Sequence, residues 1–212
     1  LDTKRMESFE NQFEFFLEQT MQTDAAHDLN HVLRVVRSAM ELCQAEKARP
    51  EIVVPAAYLH DCFTYPKDHP ERKNSAFLAA DKAIGFLGEI NYPTEYFEAI
   101  HHAIITHSFS ANVTPQTLEA EIVQDADRLD ALGAIGIARC IQVSATFGTT
   151  LYSEHDPFCE FRLPEDKTYT VDHFYSKLFK LADTMKTTAG RKEAMKRTEF
   201  MRSYLEQLSS EI

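Results

Sequence analysis

Long hydrophobic runs are missing from this sequence. No apolar stretch approaches the ~20 residues a membrane-spanning helix needs, and no signal-peptide pattern is present. Cysteine is sparse and scattered. Cys43, Cys62, Cys140 and Cys159 form no C-x-x-C pair, which fits reduced thiols and a cytoplasmic location. Positive charge is in deficit, with 22 Lys and Arg against 33 Asp and Glu and a net charge of −11. Such a surface repels DNA, RNA and anionic lipid, so the expected partner is a small molecule, with no nucleic acid and no membrane. Oligomeric state leaves no signature. Internal repeats, low-complexity tracts and sustained two-residue alternation are absent, and with the last goes the main signal for strands.

What is present is helical periodicity. The 212 residues suit one domain, and 44% hydrophobic with 26% charged residues is ordinary globular usage. Met6, Phe9, Phe13, Phe16, Leu17 and Met21 recur at steps of three and four, as do Val32, Val35, Val36, Ala39, Met40 and Cys43. Pro50 opens a third helix over 51–61. Asn74 or Ser75 starts a fourth that ends near Gly88, and Pro93-Thr94 a fifth that reaches His107. Thr114-Pro115 reads as the start of a sixth, followed by the Ala- and Ile-rich stretch 131–147. The expectation is a single all-α domain over 1–212. Its helical bundle core covers about 20–147, a loop or insertion about 148–170, and closing helices about 171–209.

Chemistry concentrates in a few polar residues on this frame. Three His-Asp dipeptides occur, at 27–28, 60–61 and 155–156, so the pair alone says little. His60-Asp61 differs because it closes the apolar run AAYLHD. Adjacent helical positions point about 100° apart, so both side chains reach one ion only from its side. A ring nitrogen beside a carboxylate suits Mn²⁺, Fe²⁺, Co²⁺ or Ni²⁺ and tolerates Mg²⁺. Further donors must come from elsewhere. His31 stands in HDLNHVLRV near the start of an amphipathic helix. Asp125, Asp127 and Asp130 stand in QDADRLDALGAIGIAR, and burying them demands neutralising charge. Their spacing spreads them over different faces, and Asp127 has apolar neighbours in Ala126 and Leu129.

HDLNHVLRV, AAYLHD, AIITHSFS and QDADRLDALGAIGIAR, in this order, resemble the HD-domain metal-dependent phosphohydrolases. Within them they resemble a small bacterial branch of YedJ/YpgQ-like proteins, over about residues 20–210. The separations of 29 residues from His31 to His60 and 66 from Asp61 to Asp127 suit one bundle. The resemblance implies an HD-type helical bundle, a divalent metal (Mg, Mn, Co, Ni or Fe) and His31, His60, Asp61 and Asp127 as its ligands. Four protein ligands would leave two octahedral positions, for a water and a phosphate oxygen. The implied activity is cleavage of phosphate esters or anhydrides, on a nucleotide by the small acidic character of the chain. Monophosphatase and triphosphate cleavage are both open.

Catalytic and substrate candidates follow. Arg34, Lys73 and Arg128 can neutralise phosphate oxygens, while Arg139 reads as a structural ion-pair partner. His107 can act as general acid or hold a phosphate oxygen. With Asp61, Arg34 and Arg128 it makes up the catalytic set. Asp28 and Asp130 can hydrogen-bond a ligand from outside it. His69, His101, His102, His155 and His173 read as ordinary polar residues. Phe9, Phe13 and Phe16 read as core, Phe109 and Phe158 as candidates for stacking on a base. Glu154, His155 and Asp156 suggest that the 148–170 segment is a lid. Two other functions fit the same frame. A di-iron oxygenase would add His101 or His102 with His107, but spacings of six and five do not share a helix face. A non-catalytic metal-binding module would lack part of the ligand set.

Overall fold

The structure, a computed structural model, describes residues 1–20, 28–65, 69–108 and 111–212. Among these the chain is all-α. Its one isolated β-bridge joins Thr150 to Tyr169, and no helix is long and apolar enough to cross a membrane. The chain forms two compact units, Leu1–Asp127 and Arg128–Ile212. Met21 and His27 lie outside the described residues, as does Phe109.

The first unit holds α1 (Thr3–Thr20), α2 (Leu29–Glu46), α3 (Pro50–Leu59), α4 (Ser75–Glu89), α5 (Phe97–His107) and α6 (Leu118–Leu129), whose last two residues pass the boundary. Its centre is α3, apolar all round and buried from Ile52 to Leu59. It packs on α1, α2 and α5. Pro50 occupies the first helical position as expected. A second proline, Pro55, sits inside the helix and has no N–H to offer the Glu51 carbonyl one turn back. The Tyr92 hydroxyl donates to that carbonyl instead, at 2.7 Å. α1 packs Phe9, Phe13 and Leu17 inward, with Phe16 stacked on Phe86.

The helix starts are set by local chemistry. The Asp28 carboxylate accepts from the His31 N–H at 2.8 Å and caps α2. α5 is preceded by a 3₁₀ turn over Thr94–Tyr96. α6 begins later than Thr114-Pro115 suggested. Thr117, not Thr114, supplies the capping oxygen, to the Ala120 N–H.

The second unit holds α7 (Gly133–Thr146), α8 (Asp172–Ser176) and α9 (Thr188–Ser209). Glycine is required at the start of α7. Gly133 has φ +72, and a Cβ on Gly136 would lie 2.3 Å from the Ala131 carbonyl oxygen. Arg197 of α9 donates to the Leu129 carbonyl, four residues ahead of α7. The first closing helix is shorter than expected over 171–187. It breaks at Lys177 into a 3₁₀ stretch, Leu178–Thr184, and ends at Met185 in extended backbone. Thr187 must leave helical geometry to cap α9 through the Gly190 N–H, so the preceding helix cannot run into it. Residues 148–170 form an irregular but closely bonded loop.

Candidate metal centre

Four elements of the first unit bring ring nitrogens and carboxylates together. His31 stands in the first turn of α2, where the Asp28 cap fixes its backbone. His60 and Asp61 follow the last turn of α3. His107 is the last residue of α5. Asp127 lies in the last turn of α6. The Gln124 side chain of α6 donates to the Thr106 carbonyl, joining that helix to the end of α5 beside His107.

The donor atoms are close. His31 Nε2 lies 3.4 Å from Asp127 Oδ1 and 3.8 Å from Asp61 Oδ2. His60 Nε2 lies 3.6 Å from Asp61 Oδ2 and 3.8 Å from Asp127 Oδ1. His107 Nε2 lies 3.5 Å from Asp61 Oδ1. Two donors about 2.1 Å from one ion at right angles would be about 3 Å apart, so these gaps close onto an ion with small movements.

The tautomers follow from the neighbours. His60 Nδ1 meets the Ala57 carbonyl at 2.7 Å, and His107 Nδ1 meets the Ile104 carbonyl. A carbonyl only accepts, so each Nδ1 carries the proton; the His60 Nε2 then turns a lone pair toward the carboxylates, while the His107 Nε2, facing Asp61, donates to it when the ring is protonated. His60 Nε2 is buried and has no hydrogen-bond partner. Lone pairs facing carboxylate oxygens need a cation between them. The residues present therefore fit a divalent ion.

Electrostatics agree. Burial pushes the His60 pKa down, against the opposing pull of Asp61, so the ring is neutral as a ligand must be. Burial alone would raise the Asp127 pKa. His31, His60 and His107 outweigh it and hold the carboxyl well below its usual range. Burial also opposes the charged form of His107, but its contact with Asp61 wins and raises its pKa.

The HD domain model matches residues 28–132 of this chain. YpgQ of Bacillus subtilis is 32% identical over 200 residues, covering 92% of this chain and 89% of its own length. The chain belongs to the HD domain family. The crystal structure of Bacillus subtilis YpgQ in complex with ADP superposes with a TM-score of 0.73 at 30% identity, over 96% of this chain and 94% of that one. An HD-superfamily hydrolase from Bacillus thuringiensis gives 0.74 at 32% identity, over 97% of each chain.

The remaining candidates divide. Arg34 is half-buried on α2, three residues after His31. Lys73 is exposed in a 3₁₀ turn, Arg72–Asn74. Arg128 donates to the Thr184 carbonyl at 2.9 Å, a structural bond inside the second unit. Arg139 pairs with Asp130 at 2.7 Å, as its sequence position suggested. That pairing occupies Asp130, while Asp28 acts on the His31 backbone rather than on an imidazole. His101 Nε2 meets Asp81 at 2.9 Å, and His102 Nε2 accepts from the Gln116 N–H. Neither belongs to the donor groups found among the described residues, so of the extra histidines of a di-iron site only His107 stands in the cluster. His173 pairs with Asp166, and Phe158 is half-buried in the second unit's loop.

One group escaped sequence reasoning. Phe63 and Tyr65 follow the His-Asp pair directly and meet edge to face, and His69 stacks on Tyr65 at 4.0 Å. All three are half-exposed. Two aromatics at alternate positions after the pair were the available signal.

Proposed function

We propose that this HD protein is a metal-dependent phosphohydrolase acting on nucleotides. The observation that carries this reading is the convergence of His31, His60, Asp61, His107 and Asp127 with lone pairs and carboxylates facing inward. His31, His60, Asp61 and Asp127 would hold the ion. A divalent ion bound there supplies Lewis acidity toward a phosphoryl oxygen and lowers the pKa of water. Asp61 both serves that set and faces His107. His107, in its imidazolium form with Nδ1–H on the Ile104 carbonyl and Nε2–H toward Asp61, is the group that passes the Nε2 proton to the leaving oxygen and is left neutral. The pull of Asp61 on its pKa supports this role. Arg34 and Lys73 are the cations assigned to phosphate oxygens in a chain of net charge −11, the Arg128 guanidinium being engaged by the Thr184 carbonyl.

The nucleotide preference draws support from the ADP complex of YpgQ, a relative 32% identical. The half-exposed Phe63, Tyr65 and His69 suit stacking on a base. An acidic chain with no membrane-length helix among its described residues suits a small-molecule substrate in the cytoplasm.

The test joins metal analysis of the purified protein to a phosphate-release screen. The screen covers nucleoside mono-, di- and triphosphates with Mg²⁺, Mn²⁺, Co²⁺ or Ni²⁺, and uses Asp61→Ala as the blank. About one divalent ion per chain and turnover lost in the variant are expected. Two irons with no phosphate release, or no metal and no turnover, would overturn the reading.

A further inference from the structure

Gln124 is an amide in a place that suits hydrocarbon. It is 3% exposed on α6, where its neighbours Ala120, Ile122, Val123 and Ala126 are all buried. Only part of its hydrogen-bonding capacity is used. The Nε2 donates to the Thr106 carbonyl at 2.6 Å. A carbonyl only accepts, which fixes the end of the amide that faces it. The other end, Oε1, is buried and meets no donor. An amide oxygen buried in this way is destabilising, and a methionine of similar length would carry no such oxygen. Packing alone would therefore favour an apolar side chain here. The one thing such a side chain could not do is donate to the Thr106 carbonyl.

That carbonyl belongs to the peptide that carries His107. α5 ends there, since Ser108 turns to extended backbone with φ −75 and ψ 125. The Thr106 carbonyl is thus one of the last four of a helix, which no amide within the helix reaches. Gln124 supplies the missing donor from α6. The ring of His107 is held separately, with Nδ1 on the Ile104 carbonyl and Nε2 3.5 Å from Asp61. Gln124 therefore holds the backbone of His107, and Ile104 holds its ring. On α6, Gln124 stands three residues before Asp127, on nearly the same face. One side chain ties the end of α5 to the helix that brings Asp127 to the site. His60 offers a comparison within the same site. Its Nδ1 also meets the carbonyl three residues back, that of Ala57, at 2.7 Å. The hydrogen bond from Gln124 goes to the His107 peptide and not to that of His60.

We propose that Gln124 is a positioning residue, which holds His107 where it can deliver its proton. The proposal rests on the hydrolase reading, in which His107 Nε2 protonates the leaving oxygen. Such a transfer is sensitive to placement, and a misplacement of about 1 Å can slow a step 10²-fold. With the Thr106 carbonyl released, the last turn of α5 is free to fray and His107 moves with it. His31, His60, Asp61 and Asp127 stand on or beside α2, α3 and α6 and keep their places. Gln124 then acts on the chemical step and leaves metal and substrate binding alone. A merely structural tie between α5 and α6 would instead affect stability and the whole site together.

The experiment is Gln124→Met in the full chain. The variant loses the unpartnered oxygen together with the N–H, so its melting temperature should stay within about 3 °C of wild type. Its kcat should fall about tenfold or more, with KM and Mn²⁺ affinity within a few-fold of wild type. On a His107→Gln background the same substitution should lower kcat no further, because it acts only through His107. A second readout needs no turnover. In the chain labelled with ¹⁵N-histidine and supplied with Mg²⁺, NMR follows solvent exchange of the ring Nδ1 protons. That of His107 should exchange about tenfold faster in Gln124→Met, and that of His60 at its wild-type rate. An unchanged His107 rate overturns the proposal, and so does an equal rise at His60. A further loss of kcat on the His107→Gln background, or a collapse of Mn²⁺ affinity, also overturns it. A wild type that hydrolyses no nucleotide would overturn the hydrolase reading, and the exchange rates would still decide whether Gln124 holds His107.

Discussion

His107 Nε2 lies 3.5 Å from Asp61 Oδ1, with the opposite ring nitrogen tied to the Ile104 carbonyl. The ring is held at both ends, so its role can be separated from that of the ligand set. His107→Gln keeps a polar group of similar reach but cannot pass a proton. The expected result is a kcat lower by about 10²–10³ with metal affinity within a few-fold of wild type. Isothermal titration with Mn²⁺ and single-turnover kinetics check it. A large loss of metal affinity at unchanged kcat would make His107 a fifth ligand instead of the proton donor.

Loading the site with metal should stabilise the fold. A ligand that binds only the native state at 100 times its dissociation constant adds about 2.7 kcal/mol. For a chain of this size that is roughly 5–10 °C in Tm. Mn²⁺ should raise the melting temperature by this order and EDTA should reverse it. In His60→Ala the shift should vanish whatever the variant's own starting stability, because His60 Nε2 is a fully buried nitrogen with no hydrogen-bond partner that only an ion would engage. An undiminished shift in that variant would place the ion elsewhere.

Asp28 acts on the site through the backbone. Its carboxylate holds the His31 N–H at 2.8 Å, so removing it frays the turn that carries His31. Asp28→Ala should cost about 1 kcal/mol in urea unfolding and weaken metal binding about tenfold. Asp28→Asn and Asp28→Ser keep a capping oxygen and should recover most of both. Recovery of stability without recovery of metal affinity would mean that Asp28 contacts the site directly.

The set His31, His60, Asp61 and Asp127 came from the resemblance of its segments to HD-domain phosphohydrolases, whereas the residues alone singled out only the His60-Asp61 pair at the end of an apolar run. The all-α class was legible because buried positions recur with the helical period. Contacts between residues distant in sequence carry no such signal. Tyr92 completes the Glu51 carbonyl that Pro55 abandons, a bond across 41 residues that no periodicity reveals. Thr117 and Thr114 both offer a capping oxygen, and the Ala120 N–H takes that of Thr117. Asp28 read as a partner for an imidazole because its side chain can reach several acceptor roles, and geometry alone selects the amide. Arg162 looked like one more basic residue in an irregular segment, although it braces that segment by donating to the Asp172 carboxylate and the Asp156 carbonyl.

Arg162 gives the last test, through pH and through deletion. Burial alone would raise the Asp172 pKa, but the Arg162 guanidinium and the Glu165 N–H outweigh it and lower it. The Phe161 amide, with those of Glu160 and Arg162, lowers that of Asp156. Both carboxylates ionise more readily folded than unfolded. Their contribution is therefore in place above the ordinary carboxylate value of 3.8 and is lost as pH falls below it. Hydrogen exchange at the Glu160, Phe161 and Arg162 amides, corrected for the intrinsic rate, should show protection that is flat from neutral pH to about 4 and collapses only as pH falls below the ordinary carboxylate value of 3.8. Arg162→Ala should mimic that loss at neutral pH. It leaves the Asp172 carboxylate buried without its cation, which costs about 3 kcal/mol, the low end for such a pair because the guanidinium is partly exposed. Arg162→Lys should recover only part, since a single ammonium cannot meet both Asp172 oxygens and the Asp156 carbonyl. Protection that survives Arg162→Ala at neutral pH would mean that the loop is braced by its turns alone.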